Sequence, residues 1–174
     1  MSYSVFAYLT DASKVASVFG SNNQKLFNEL SASLKTDFEY FDNYFSDNLK
    51  PYQSSSEEVL KDIINGKIRF PDIPFLYGYV YEKICEYYGT QIYNAENLWE
   101  LEEQSAFMPI PFSSDFPHII SIENKQLKEK KTKFLASEAG NGIGDYDYEE
   151  EIADLTYILD EALEQSKDLV ICVY

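Results

Sequence analysis

Ile73-Pro-Phe-Leu-Tyr-Gly-Tyr-Val-Tyr-Glu-Lys-Ile-Cys-Glu-Tyr-Tyr-Gly89 is the most aromatic and most clearly punctuated stretch of the chain. Pro74 suits a first helical position, where a missing N–H costs nothing, and Gly89 suits the residue just past a helix end. Phe75, Leu76, Tyr79, Val80, Lys83, Ile84, Tyr87 and Tyr88 recur at spacings of three and four, which predicts a broad apolar stripe facing the core. Gly78 sits inside this helix at a cost of about 1 kcal/mol relative to Ala, so a neighbouring element is expected to pack closely there.

Before this helix, Ser2 to Thr10 is rich in Val, Phe and Tyr and reads as a first strand. Asp11 or Ser13 can cap a short helix running to Phe19, with Gly20 as its stop. Asn22 or Asn23 opens a longer helix carrying Leu26, Phe27, Leu30, Leu34, Phe38, Phe41 and Phe45, with a break expected at Asp42-Asn43. Ser55 with Glu58 makes a capping-box pattern ahead of Val59, Leu60, Ile63 and Ile64, and that helix ends at Gly66. A linker follows that holds the sole arginine, Arg69.

Beyond Gly89, Gln91-Ile92-Tyr93 can extend briefly, and Ala95 to Gln104 suggests a short helix with the only tryptophan, Trp99. Three prolines make Phe107 to Phe116 irregular and extended. His118 to Ile122 reads as a second strand and Glu123 to Ala136 as a charged helix. Gly140, Asn141, Gly142 and Gly144 read as a turn, inside a 138–147 candidate mobile loop. Helical spacing returns from Tyr148 to Lys167, and Leu169 to Tyr174 closes as an apolar strand. Apolar strands at the two ends with helices between them predict an α+β fold, a single mostly helical domain over 1–174 whose small sheet pairs the N-terminal and C-terminal strands.

Length and composition narrow the function classes. A chain of 174 residues buries about 70% of its unfolded surface and needs no disulfide staples. The formal net charge of -16 repels phosphates and anionic lipids, so nucleic-acid and membrane binding are not expected, whereas a basic protein would be attracted. Cys85 and Cys172 lack metal-site spacing and read as buried hydrophobes. The first residues lack a basic n-region, and nowhere do eighteen apolar residues run together, which favours a reducing cytoplasm.

Catalytic, metal and cofactor motifs were sought by type. The sole histidine, His118, has neither a nucleophile elbow nor a reactive-cysteine signature with it, and no catalytic set, metal site or cofactor is predicted. Asp145-x-Asp147-x-Glu149 opens like a calcium loop, but Glu150 stands where glycine is needed and Thr156 where a bidentate Glu is needed. Gly140-Asn-Gly-Ile-Gly144 lacks the Lys-Ser/Thr of a phosphate cradle. The lysines at 125, 128, 130, 131 and 133 read as a helix surface that pairs with acids. From Phe134 through Ser166 there are ten acidic residues and no Lys or Arg, a concentrated negative field of the kind that steers a basic partner.

The spacing Leu60-x-x-Ile63-Ile64-x-Gly66, followed by Tyr77-Gly-Tyr-x-x-Glu82-x-x-Cys85-x-x-Tyr88-Gly89, resembles the signature of an uncharacterised bacterial family, a domain of unknown function. Met1 to Tyr8, the Pro109-x-Pro111-x-x-x-Asp115-Phe116-Pro117 segment and the closing strand are similar to it as well. The resemblance implies one full-length domain of bacterial origin and carries no activity. Two site expectations result. The first is an acidic binding surface of Asp145, Asp147, Glu149, Glu150, Glu151 and Asp154, suited to an immunity- or antitoxin-like inhibitor of a basic toxin. The second is the aromatic signature set of Tyr77, Tyr79, Glu82 and Trp99. Within it Glu82, three residues after Tyr79 on one helix face, is the alternative candidate for a carboxylate-dependent enzyme.

Overall fold

The computed structural model describes residues 5–92, 105–106, 118–141 and 146–173. Five antiparallel strands form one sheet: β1 (Val5–Thr10), β2 (Thr90–Ile92), β3 (Ser105–Ala106), β4 (His118–Ile122) and β5 (Asp168–Val173), in the spatial order β2-β1-β5-β4-β3. The fold is α+β, and the first and last strands pair along their whole length, from Val5 opposite Val173 to Thr10 opposite Asp168. Leu169 to Val173 reads as an unbroken apolar run because helices cover both faces of this strand, which is central in the sheet.

Alternation along the strands sorts the core into two layers. Tyr8, Ile119, Val170 and Cys172 face one side, joined by the helices α1 (Ala12–Ala16), α2 (Gln24–Ser33), α3 (Lys35–Tyr44), α4 (Ser46–Leu49), α5 (Ser56–Ile64) and α6 (Pro74–Tyr88). Ala7, Leu9, Ile120, Ile122, Leu169 and Ile171 face the other, against α7 (Asn124–Asn141) and α8 (Tyr146–Glu164). One carboxylate spans the two layers at the start of β5. Asp168 accepts the backbone N–H of Ala12 (2.9 Å), just inside α1, and that of Asn124 (2.8 Å), which opens α7.

Local chemistry explains most element boundaries. Asp11 and Asn23 accept the N–H groups of Lys14 and Leu26 as N-caps. Ser55 caps α5 through the Glu58 N–H, but the reciprocal half of the expected capping box is not made, because the Glu58 carboxylate turns to Lys61 and Arg69 instead. The expected long helix from Asn22 to Phe45 is two helices that break at Leu34 (φ -93°, ψ 12°), not at Asp42-Asn43. Asp42 stays within α3 and accepts the Ser56 N–H at 2.7 Å, fastening the start of α5 to α3.

Further departures lie around the later elements. Gly140 and Asn141 belong to α7 and not to the predicted turn, and 142–145 lie outside the described residues. So do the expected helix with Trp99 and the extended segment 107–117. The two-residue strand β3 had no signal in the sequence. Gly89 does follow α6, but in extended conformation (φ -145°, ψ -163°), so a left-handed cap is not its role. A Cβ there would meet the Leu9 carbonyl oxygen at 2.3 Å, and only glycine lets the chain turn that close to β1 and become β2.

The buried side of α6 is Leu76, Tyr77, Val80, Tyr81, Ile84 and Cys85, rotated one residue from the predicted stripe, and Gly78 is buried with them. The helix lies between the sheet and α1, α2 and α5, so it is enclosed on more than one side. Phe75, Tyr79 and Lys83 of the predicted stripe fall on its half-buried side and Tyr87 is exposed.

Candidate functional site

The aromatic signature set does not converge on one point. Tyr77 and Tyr79 are two residues apart on a helix and so point to different sides. The Tyr77 hydroxyl donates to Asp62 Oδ2 (2.9 Å) and accepts the N–H groups of Arg69 (3.1 Å) and Phe70 (3.3 Å). Asp62 also pairs with Arg69 Nε, and Arg69 reaches Glu58 (2.9 Å). Burial, then the Asp62 bond, push the Tyr77 phenol up. This network fastens the linker between α5 and α6, a structural role.

Tyr79 instead joins a row of rings, 5.6 Å from Phe41 and 5.2 Å from Phe45, which continues outward to the stacked pair Tyr40 and Tyr44. Glu82 lies one turn further on, 7% exposed, and accepts the Tyr8 hydroxyl at 2.7 Å. The Tyr79 phenol is raised by burial and then by the charge of Glu82. Burial and Glu82 push the Tyr8 phenol far up. Cys85, one turn beyond, meets Cys172 of β5; their mutual hydrogen bond and complete burial raise the Cys172 thiol and make it a poor nucleophile. Trp99 lies outside the described residues.

The acidic set lies on the opposite layer. Asp147, Glu149, Glu150 and Glu151 fall in the first turns of α8, Asp145 lies outside the described residues, and Asp154 marks where the helix reaches the sheet. There the structure adds a feature that the sequence does not display, an open groove of about 430 Å³ between α8 and the edge strand β2. Thr90 and Ile92 of β2 and Leu9 of β1 form its sheet side, and Asp154, Tyr157 and Glu161 its helix side. Tyr157 is 61% exposed. Glu161 accepts Gln165 Nε2 at 2.8 Å and the Tyr157 hydroxyl at 3.4 Å, and among the described residues neither Glu161 nor Asp154 has a basic partner. Asp160 on the same helix, by contrast, is paired with Lys131 of α7, one of the predicted lysine–acid contacts.

Tyr157 and Glu161 were not singled out in the sequence. Their signal was present, since Asp154, Tyr157 and Glu161 follow i, i+3, i+7 beside the buried stripe of Leu155, Ile158, Leu159 and Ala162. Which polar flank of α8 borders the sheet edge is set by packing alone.

Chemically the groove offers carboxylates, a phenol, amides and strand backbone, a set suited to holding a cationic, hydrogen-bonding ligand. Among the described residues no group of three or more His, Cys, Asp or Glu side chains is placed to hold a metal ion, and no helix is long and apolar enough to cross a membrane.

Fold and groove together define an α+β protein with one sheet between two helical layers and an acidic cleft at its edge. The chain belongs to the family described as domain of unknown function DUF7691, whose model matches residues 1–174. No curated protein and no solved structure matches it.

Proposed function

We propose that this protein is a non-enzymatic binding protein that captures a basic protein partner, most concretely as an immunity- or antitoxin-like inhibitor of a basic toxin in a reducing cytoplasm. The observation that carries this reading is the pair of carboxylates, Asp154 and Glu161, without a basic partner among the described residues and flanking the exposed Tyr157 beside a sheet edge. An exposed tyrosine ringed by charge is a common anchor of tight interfaces, and a net charge of -16 accelerates encounter with a cationic surface toward about 10⁸ M⁻¹s⁻¹ at low salt. The two buried thiols, free of any disulfide, suit a reducing compartment. The alternative, a carboxylate-dependent enzyme centred on Glu82, has less support, because that carboxylate is buried and Tyr8 occupies one of its oxygens.

The test is capture of a purified toxin encoded beside this protein's gene, by the native chain and by Asp154→Asn/Glu161→Gln. The reading expects association that slows steeply as salt rises and weakens at least about tenfold in the double variant. Binding indifferent to both salt and the double substitution would remove it.

A further inference from the structure

We infer that the groove takes its partner as an added strand: an extended segment of the basic protein pairs with the free edge of β2 and presents Lys or Arg at every second position toward α8. This rests on the basic-partner reading above and specifies how that partner is held.

In the order β2-β1-β5-β4-β3, β2 pairs only with β1, so its outer backbone groups have no strand partner among the described residues. Thr90 at the start of β2 is exposed. An open edge beside a groove is the setting in which extended peptides bind, with main-chain hydrogen bonds giving affinity and alternate side chains giving specificity.

Register decides which side chains meet α8. Thr90 lies opposite Leu9 and Ile92 opposite Ala7, and Leu9 and Ala7 belong to the layer under α7 and α8. Residues of an added strand aligned with Thr90 and Ile92 therefore face α8 too, about 7 Å apart. On the helix, Asp154 and Glu161 are seven residues apart, about 10 Å along the axis, a difference that long Lys or Arg side chains span easily. Tyr157 stands between them, where its ring can lie against the aliphatic stems or take a cation–π contact.

Charge chooses the occupant. Among the described residues the groove carboxylates have no basic partner, and a second copy of this chain, itself at -16, would bring more negative charge to them. A lysine- or arginine-bearing strand supplies what is missing.

The probes are three capped peptides of alternating Lys and Thr or Val: the parent, and two carrying N-methyl groups on alternate amides in the two possible registers. A fourth has the same composition with its lysines grouped together. Affinity is read by fluorescence anisotropy and β2 amide protection by hydrogen exchange. Strand addition expects the parent to bind at least about tenfold more tightly than the grouped peptide. One N-methyl register should abolish binding while the other leaves it intact, the β2 amides that point away from β1 should gain protection, and Asp154→Asn/Glu161→Gln should weaken the parent. Equal binding of both N-methyl peptides and the parent, or unchanged β2 exchange, overturns the inference. If the grouped peptide binds as well as the parent in a salt-dependent way, the basic-partner reading stands and strand addition falls. If no cationic peptide binds while a basic protein does, strand addition again falls alone; if neither binds, both fall.

Discussion

The two faces of the sheet are built from different materials. The layer of α1 to α6 is aromatic and internally wired: Phe38, Phe41, Phe70, Tyr77 and Tyr81 are buried, Asp62 and Glu82 accept phenols within it, and Lys83 bridges Asp37 and Glu86 at its edge. Among the described residues the layer of α7 and α8 has an aliphatic buried cluster, from Leu127 through Leu159 to Ile171, and holds at its rim carboxylates with no basic partner. Rings with hydroxyl groups need fixed partners, so the first layer is committed to its own geometry. Aliphatic packing asks only for shape, which leaves the polar flank of α8 free to serve something outside the molecule.

The largest expected effect probes whether the layers stand or fall together. Leu76→Ala on one face and Leu159→Ala on the other should each cost about 2–5 kcal/mol. Because both layers share β1, β5 and β4, each substitution should shift a single calorimetric transition, and two separated transitions would break the picture of one cooperative unit. Alkali should strike the aromatic layer next. Folding raises the phenols of Tyr8, Tyr77 and Tyr81, chiefly by burial, so above pH about 10 the unfolded chain releases protons that the folded chain keeps. Stability is therefore full below that pH and falls above it, by about 1.4 kcal/mol per pH unit for each phenol. Urea midpoints measured across that range should drop, and the drop should shrink in Tyr77→Phe.

A smaller contrast separates the two kinds of carboxylate. Asp62→Ala should cost about 2–3 kcal/mol, because the buried Tyr77 O–H loses its acceptor, while the half-exposed Arg69 stays hydrated. Asp154→Asn in the groove should change urea stability by less than about 0.5 kcal/mol. Equal losses at the two sites would erase the distinction between wired and unwired layers. The smallest effect is a gain. The buried Tyr81 hydroxyl has no hydrogen-bond partner among the described residues, so Tyr81→Phe should stabilise by about 1 kcal/mol in the same titrations.

The elements that could be read from the sequence are those whose causes are local. Pro74, Ser55, Asn23 and the unbroken Leu169–Val173 run announce α6, α5, α2 and β5 through capping, φ preference and hydropathy. The pairing of the first and last strands followed from their apolar character. What escaped depends on neighbours far along the chain. Leu34 breaks a helix whose period gives no reason to stop there. Asp168 looks like an ordinary linker residue until Ala12 and Asn124 arrive at its two oxygens. Gly89 looks like a cap, whereas it serves a close approach to Leu9. The same split holds for the candidate site. The acidity of α8 is plain in the composition, and Asp154 lies in the cleft as part of the predicted surface. Tyr157, Glu161 and the open edge of β2 become a site only once the sheet order is fixed, and Tyr77 leaves the predicted set because its hydroxyl is engaged with Asp62.

The position of β5 in the middle of the sheet has a consequence for synthesis. Until residues 168–173 emerge from the ribosome, β1 with β2 and β4 with β3 can form only separate two-stranded pairs, each with an apolar strand edge uncovered. Joining them requires contacts between residues more than 160 positions apart, such as Val5 with Val173, the kind of long-range closure that makes folding slow. The sheet therefore cannot be completed until β5 has been made. Deleting those six residues would take the middle strand out of the sheet and leave β1 and β4 without the neighbour that joins them.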